Sequence, residues 1–253
     1  HGMRPPLLVV PGIGQATAPG DGRLVAVTMS PRVPVSGPLP PVEVIVDRIG
    51  RLEDRLDLRS DGRTRLLPVT KAFPVEAVAA VRRAGVREVG ENYAQELLAK
   101  CSELDDPTVG WHMVGGLQRN KGRLLAPVVT LWQTVDRVEL LEEIARRAPG
   151  ARVLVQVDTH GSEGRSGCTP AEVEGLVGVG VDRGLEVVGL MTVGVAGDPS
   201  ETRRAFQVVS GLAESLGLRE LSMGMTDDLD LAVDHGSTLV RVGRAIFGER
   251  PAG

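Results

Sequence analysis

Residues 152–193 read RVLVQVDTHGSEGRSGCTPAEVEGLVGVGVDRGLEVVGLMTV, and the fold is decided in this stretch. An apolar run over 152–158 is followed by a helical pattern that Pro170 opens and that lasts to Arg183. A second apolar run then covers 186–193. The two runs are continuous in Val, Leu and Met rather than alternating, as expected of strands covered on both faces. Strand, helix, strand is the repeating unit of a parallel sheet.

Outward from this unit the same alternation continues in both directions. Further strands are expected at 65–71, 88–91, 110–117, 130–135, 220–225 and 238–247. Helices fit between them at 74–84, 94–104, a short 120–125, 138–148, 200–216 and 227–234. Ahead of the first strand, Val42, Val46, Ile49, Leu52 and Leu56 recur at helical spacing among charged residues, up to Ser60-Asp61-Gly62. Eight β/α units in about 210 residues predict an α/β fold, a single (β/α)8 TIM barrel over 41–253. An open doubly wound sheet is the alternative, because periodicity does not distinguish closure from an open edge. Residues 1–40 carry 8 of the 17 prolines and read as a Pro/Gly-rich extension, poorly structured, with Leu7–Val10 and Leu24–Val27 as short extended pieces and Met29 as an alternative start.

The 253 residues are 25% charged with a net charge of −4, and the basic residues form no stripe, which argues against nucleic acid. No apolar run nears the roughly 20 residues that cross a bilayer, so a soluble, cytoplasmic protein is expected, with no membrane partner. Cys101 and Cys168 show no ligand spacing and read as inert thiols, without a structural metal.

In a barrel the chemistry sits where strands end. Lys71 closes the first strand just before Pro74. By itself a lysine there is a surface residue marking a strand end; the functional alternative is an amine of lowered pKa that forms a Schiff base. Glu91 and Asn92 end the second strand and either hold a ligand or cap the next helix. His112, within an apolar strand and without a second histidine at ligand spacing, reads as a hydrogen-bonded core residue. Gly224 and Gly243 belong to the seventh and eighth β/α units, whose loops commonly bind phosphate in barrels, with Ser222, Thr226 and a guanidinium close by.

Together, Val69-Thr70-Lys71, Gly90-Glu91-Asn92-Tyr93-Ala94-Gln95-Glu96, Trp111-His112-Met113-Val114-Gly115, Leu117-Gln118-Arg119-Asn120-Lys121, Gly189-Leu190-Met191, residues 222–228, Val240-Arg241-Val242-Gly243 and Ala245-Ile246-Phe247-Gly248 resemble the pyridoxal phosphate homeostasis proteins, single-domain relatives of the alanine racemase barrel. The resemblance spans about residues 43–250. It implies that Lys71 is the Schiff-base lysine for pyridoxal 5′-phosphate and that Asn92 lies near the ring. It further implies that Ser222, Gly224, Gly243 and its neighbour Arg244 hold the phosphate, and that Arg241 faces the pyridine nitrogen. A guanidinium there cannot accept a proton, so it weakens the cofactor as an electron sink. Arg244 departs from the Ser or Thr usual at its position, Phe73 stands where some relatives have a second lysine, and Arg165 where lysine is frequent. The implied function is a monomeric carrier that holds, buffers or delivers pyridoxal phosphate, with apoenzymes as partners and an influence on amino- and keto-acid metabolism. It is not an enzyme on this reading. The enzymatic alternative is a weak amino-acid racemase, which needs two opposed bases; the chain has one tyrosine, Tyr93, and ends at Gly253 without the racemase β-domain.

Overall fold

The computed structural model describes residues 39–161 and 166–249. The expected extension, with its two extended pieces and Met29, and the 162–165 loop with Arg165, lie outside the described residues. Nine α-helices and two short 3-10 helices occur among those described. The first, α1 (Val42–Ser60), ends where Asp61 takes a left-handed conformation, φ 54°, followed by Gly62. Its buried stripe of Ile45, Ile49 and Leu56 follows from the spacing read in the sequence.

Eight strands follow: β1 (Arg65–Pro68), β2 (Glu88–Glu91), β3 (Gly110–Met113), β4 (Val129–Val135), β5 (Arg152–Gln156), β6 (Glu186–Met191), β7 (Glu220–Ser222) and β8 (Leu239–Val242). Between them lie α2 (Val75–Arg83), α3 (Ala94–Leu104), α4 (Gly122–Leu125), α5 (Val138–Arg147), α6 (Val173–Asp182), α7 (Pro199–Ser215) and α8 (Leu229–Asp234). All pairings are parallel, in the order β1-β8-β7-β6-β5-β4-β3-β2. A single bridge between Val69 and Gly90, with Thr70 N–H donating to Gly90 O at 3.0 Å, joins the two ends. The barrel is thereby closed. No strand order reverses, so the doubly wound alternative is excluded.

The eighth strand was expected to run to 247 but ends at Val242, and α9 (Arg244–Phe247) follows Gly243. Ile246 and Phe247 are buried as expected, yet in a helical turn, with the Phe247 ring centroid 4.9 Å from that of Phe73. A short buried apolar run carries no periodicity that separates strand from helix. The ring place that a long helix after β8 would fill is taken by α1, which packs against α2, α8 and α9. Arg55 and Arg59 of α1 reach Asp230 and Asp234 of α8 at 2.7 and 2.6 Å.

Two apolar layers explain the continuous strands. Leu67, Val69, Val114, Leu131, Leu154, Met191 and Leu239 fill the barrel interior, while the alternate positions, Leu66, Trp111, Val153, Val155, Val240 and Val242 among them, pack under the helices. Successive side chains of a strand point to opposite faces, so residues two steps from an interior leucine also face inward. His112, Gln133, Ser222 and Arg241 obtain their inward direction in this way. No helix among the described residues is long and apolar enough to cross a membrane.

Candidate functional site

At the C-terminal ends of the strands a cavity of about 790 Å3 opens, walled by Lys71, Asn92, Arg241, Gly243 and Arg244 among the residues singled out from sequence. Ser222 and Gly224 do not line it. Val69, Val114, Met191 and Val193 supply an apolar floor and side, and Thr226 and Asp227 form part of the rim.

Lys71 is half-buried and continues the inward phase of Leu67 and Val69. The next residue, Ala72, has φ 62°, a left-handed conformation that costs an alanine about 1 kcal/mol. Its N–H donates to Glu96 Oε2 of α3 at 2.7 Å, which holds the turn. Below the turn, Lys100 Nζ donates to Thr70 O and to Glu91 Oε1, both at 2.6 Å, and lies 3.5 Å from Glu96 Oε2. Thr70 Oγ1 donates to Glu91 Oε1 at 2.5 Å. Glu91 therefore neither holds a ligand nor caps α3; it is buried in a polar knot beneath Lys71. Burial, which outweighs the attraction of Lys100, pushes its carboxyl up to about 6.

Asn92 lies on the wall with its Oδ1 buried and without a hydrogen-bond partner. Such an atom costs free energy unless a ligand or water supplies a donor. The Asn92 backbone rests against Gly115, where a Cβ would stand 2.1 Å from Asn92 O. Tyr93 beside it is 52% exposed and is not part of the wall.

Arg241 is buried across the cavity. Its Nη1 donates to Ser222 O and Ser222 Oγ, both at 2.6 Å, and Nη2 donates to Thr192 O at 2.8 Å. Burial lowers its pKa to about 10, opposed by the charge of Asp228, so it remains a cation at neutral pH. Ser222 is fully buried beneath this guanidinium rather than on the wall, and its hydroxyl donates to Gln133 Oε1 at 2.7 Å. Gly224 has φ 89°, and a Cβ there would meet that of Ala232 at 2.5 Å, so it shapes the β7 loop that leads to Thr226. Gly243 lies where a Cβ would approach Val69 O to 3.1 Å. Arg244, at the rim, pairs with Asp227 and, at 3.4 Å, with Glu249.

The sequence reading missed Gln133, Thr192 and the Glu96–Lys100 pair. Gln133 carried a signal, a polar side chain inside an apolar strand, like that of His112. Lys100, on a helix face, carried none. His112 is a buried core residue with Gln133 Nε2 at 2.9 Å from its Nδ1. Among the described residues no cluster of His, Cys, Asp or Glu suits a metal ion. The buried Cys168 thiol is pushed up to about 12 by desolvation, which leaves it unreactive.

The family "Alanine racemase, N-terminal domain" matches residues 47–251. The pyridoxal phosphate homeostasis protein of Pseudomonas aeruginosa is 36% identical over 206 residues, covering 77% of this chain and 88% of the relative. This chain belongs to the pyridoxal phosphate homeostasis protein family. The Schizosaccharomyces pombe member is 39% identical over 219 residues, covering 79% and 90% of the two chains. A solved structure, that of PipY of Synechococcus elongatus with PLP bound, is 31% identical with a TM-score of 0.72, over 81% of this chain and all of that one. Lysine decarboxylase of Selenomonas ruminantium, 19% identical with a TM-score of 0.60, shares the fold.

Proposed function

We propose that this member of the family binds pyridoxal 5′-phosphate in the barrel-mouth cavity and serves as an intracellular holder and donor of the cofactor rather than as an enzyme. The observation that carries the reading is convergence on one cavity: a half-buried lysine amine, an orphaned Asn92 Oδ1, a buried guanidinium and a close-packed glycine loop. The chemistry of these donors fits an aromatic aldehyde with an anionic tail. The PLP-bound relative supports the same reading.

When bound, the cofactor supplies an aldehyde and an electron-accepting ring. Lys71 would bond to the aldehyde carbon with loss of one water. Asn92 Oδ1 would accept a hydrogen bond from a polar group of the ring or from a bridging water. Arg241, able only to donate, would face the ring nitrogen and keep it unprotonated, which works against carbanion formation. Gly243 and the amides of Arg244 and Ala245 that open α9 would receive the phosphate, since those of Ile246 and Phe247 donate to Gly243 O. Arg244 adds a cation there in place of a hydroxyl. Ser222 and Gly224 would act from behind, on Arg241 and on the β7 loop. Tyr93, the one tyrosine of the sequence, stands outside the wall, so the cavity offers Lys71 no opposed phenol for racemisation.

The test is spectroscopic. The purified protein mixed with pyridoxal phosphate is expected to show a visible absorption band, and borohydride treatment is expected to fix a cofactor-sized mass on the peptide containing Lys71. Lys71→Ala should lose both. A variant that kept the band, or an adduct on another lysine, would reject the assignment. Loss of the α-proton from labelled alanine at enzyme-like rates would reject the holder reading in favour of catalysis.

A further inference from the structure

Four side chains form one line of hydrogen bonds across the inside of the barrel. Arg241 Nη1 on β8 donates to Ser222 Oγ on β7 at 2.6 Å, and Ser222 Oγ donates to Gln133 Oε1 on β4 at 2.7 Å. Gln133 Nε2 faces His112 Nδ1 on β3 at 2.9 Å. Beyond it, His112 Nε2 stands 3.5 Å from Glu88 Oε1 on β2. Glu88 pairs in turn with Arg65 of β1 at 2.6 Å, on the barrel face opposite the cavity. His112, Gln133 and Ser222 are at most 1% exposed.

The polarity of the line follows from elementary chemistry. A guanidinium only donates, so Ser222 Oγ accepts from Arg241 and turns its own proton to Gln133 Oε1. The other end of that amide is then a donor, which makes His112 Nδ1 an acceptor. The ring proton is left on Nε2, facing Glu88. Every bond points away from the cavity, toward a carboxylate. The His112 contact, ahead of the opposing effect of burial, and the charges of Arg65 and Arg152 hold the Glu88 carboxyl below its ordinary range, so the line ends on an anion. Aligned hydrogen bonds polarise one another in a low dielectric.

Packing does not call for these residues. The neighbouring interior positions are Leu131, Leu154 and Leu239, and three buried polar side chains in their place cost desolvation with no gain in apolar burial. We infer that Gln133 and His112 are positioning residues for the cofactor site: through Ser222 they fix the place and the charge of the Arg241 guanidinium offered to the ring nitrogen. This inference rests on the cofactor reading above and extends it from the cavity wall to the far side of the barrel.

Two measurements test it, the first of them independent of that reading. In cofactor-free protein, nitrogen NMR of the imidazoles, with the His112 signals assigned through His112→Gln, is expected to find the proton on Nε2. Gln133→Glu, which presents acceptors at both ends, is expected to move a proton onto Nδ1. A wild-type His112 with its proton on Nδ1, or one indifferent to Gln133→Glu, overturns the inference whatever the protein binds. With pyridoxal phosphate, Gln133→Met and His112→Leu should each weaken binding roughly five- to tenfold, the worth of one ordinary hydrogen bond between neutral groups, and shift the pH titration of the visible band. The double variant should lose no more than the worse single one. His112→Gln keeps an acceptor for Gln133 and should restore binding to within about twofold of wild type. Folded variants with wild-type affinity and titration, or losses that simply add, overturn it. Should the wild-type protein show no Lys71-dependent band, the cofactor reading fails, and the tautomer measurement still decides the hydrogen-bond line.

Discussion

Glu91→Gln is expected to make the protein progressively more stable relative to wild type as pH rises from about 4 to 7. The Glu91 carboxyl is buried between Thr70 and Lys100, and one of its oxygens, Oε2, has no hydrogen-bond partner. Burial raises its pKa from 4.5 to about 6. The unfolded chain releases this proton near 4.5, whereas the folded protein keeps it to about 6. Between those values the folded state binds more protons, so stability falls as pH rises, and the loss is complete above 6. At 1.36 kcal/mol per pH unit, ionising near 6 instead of 4.5 costs the folded state about 2 kcal/mol at neutral pH. Glutamine has no such proton, can still accept from Lys100 and Thr70, and leaves Lys100 with Thr70 O and Glu96. Urea unfolding of both proteins at half-unit intervals from pH 4 to 7.5 measures the difference, in which the other titrating groups cancel. A gap that widens by about 2 kcal/mol across that window is expected, with an unchanged dependence on urea. A constant gap, or one that closes toward neutral pH, would refute burial as the dominant influence on Glu91.

Two further substitutions address the cavity directly. Gly115→Ala would place a Cβ 2.1 Å from Asn92 O, so the backbone must open by about 1 Å, at an expected cost of roughly 1–3 kcal/mol and a loss of cofactor affinity. Gly116→Ala next to it, with nothing within 4 Å, is the neutral control; thermal melts that failed to separate the two would remove the role given to Gly115. Arg244→Ser should leave the melting temperature unchanged, because its ion pairs are exposed, while weakening pyridoxal phosphate binding and flattening its salt dependence. Equal affinities at low and high salt in both proteins would remove Arg244 from phosphate recognition.

Much of the barrel was readable in advance. Helices α1 and α3 lie at their expected bounds, because an amphipathic stripe with a capping turn is a local property. The strands lie where expected; β2 has its expected bounds, β4 starts one residue earlier, and the others are shorter, most clearly β3 and β8, where buried apolar residues continue past the last ladder partner. The site residues were legible in part. Lys71, Asn92, Arg241, Gly243 and Arg244 meet at one cavity, while Ser222 and Gly224 support it from outside the wall.

The amino-acid order alone determined the repeat of strand and helix, the places where the strands begin and the family resemblance, since each depends on neighbours within a few residues or on motif spacing. Closure, and with it the inside and outside of each strand, was decided by the tertiary structure. Strands buried on both faces show no polar phase, so nothing local says whether Leu67 or Leu66 faces the axis. Once Val69 pairs with Gly90 the phase is set for every strand, and only then do His112, Gln133, Ser222 and Arg241, from four distant segments, come within hydrogen-bonding reach of one another.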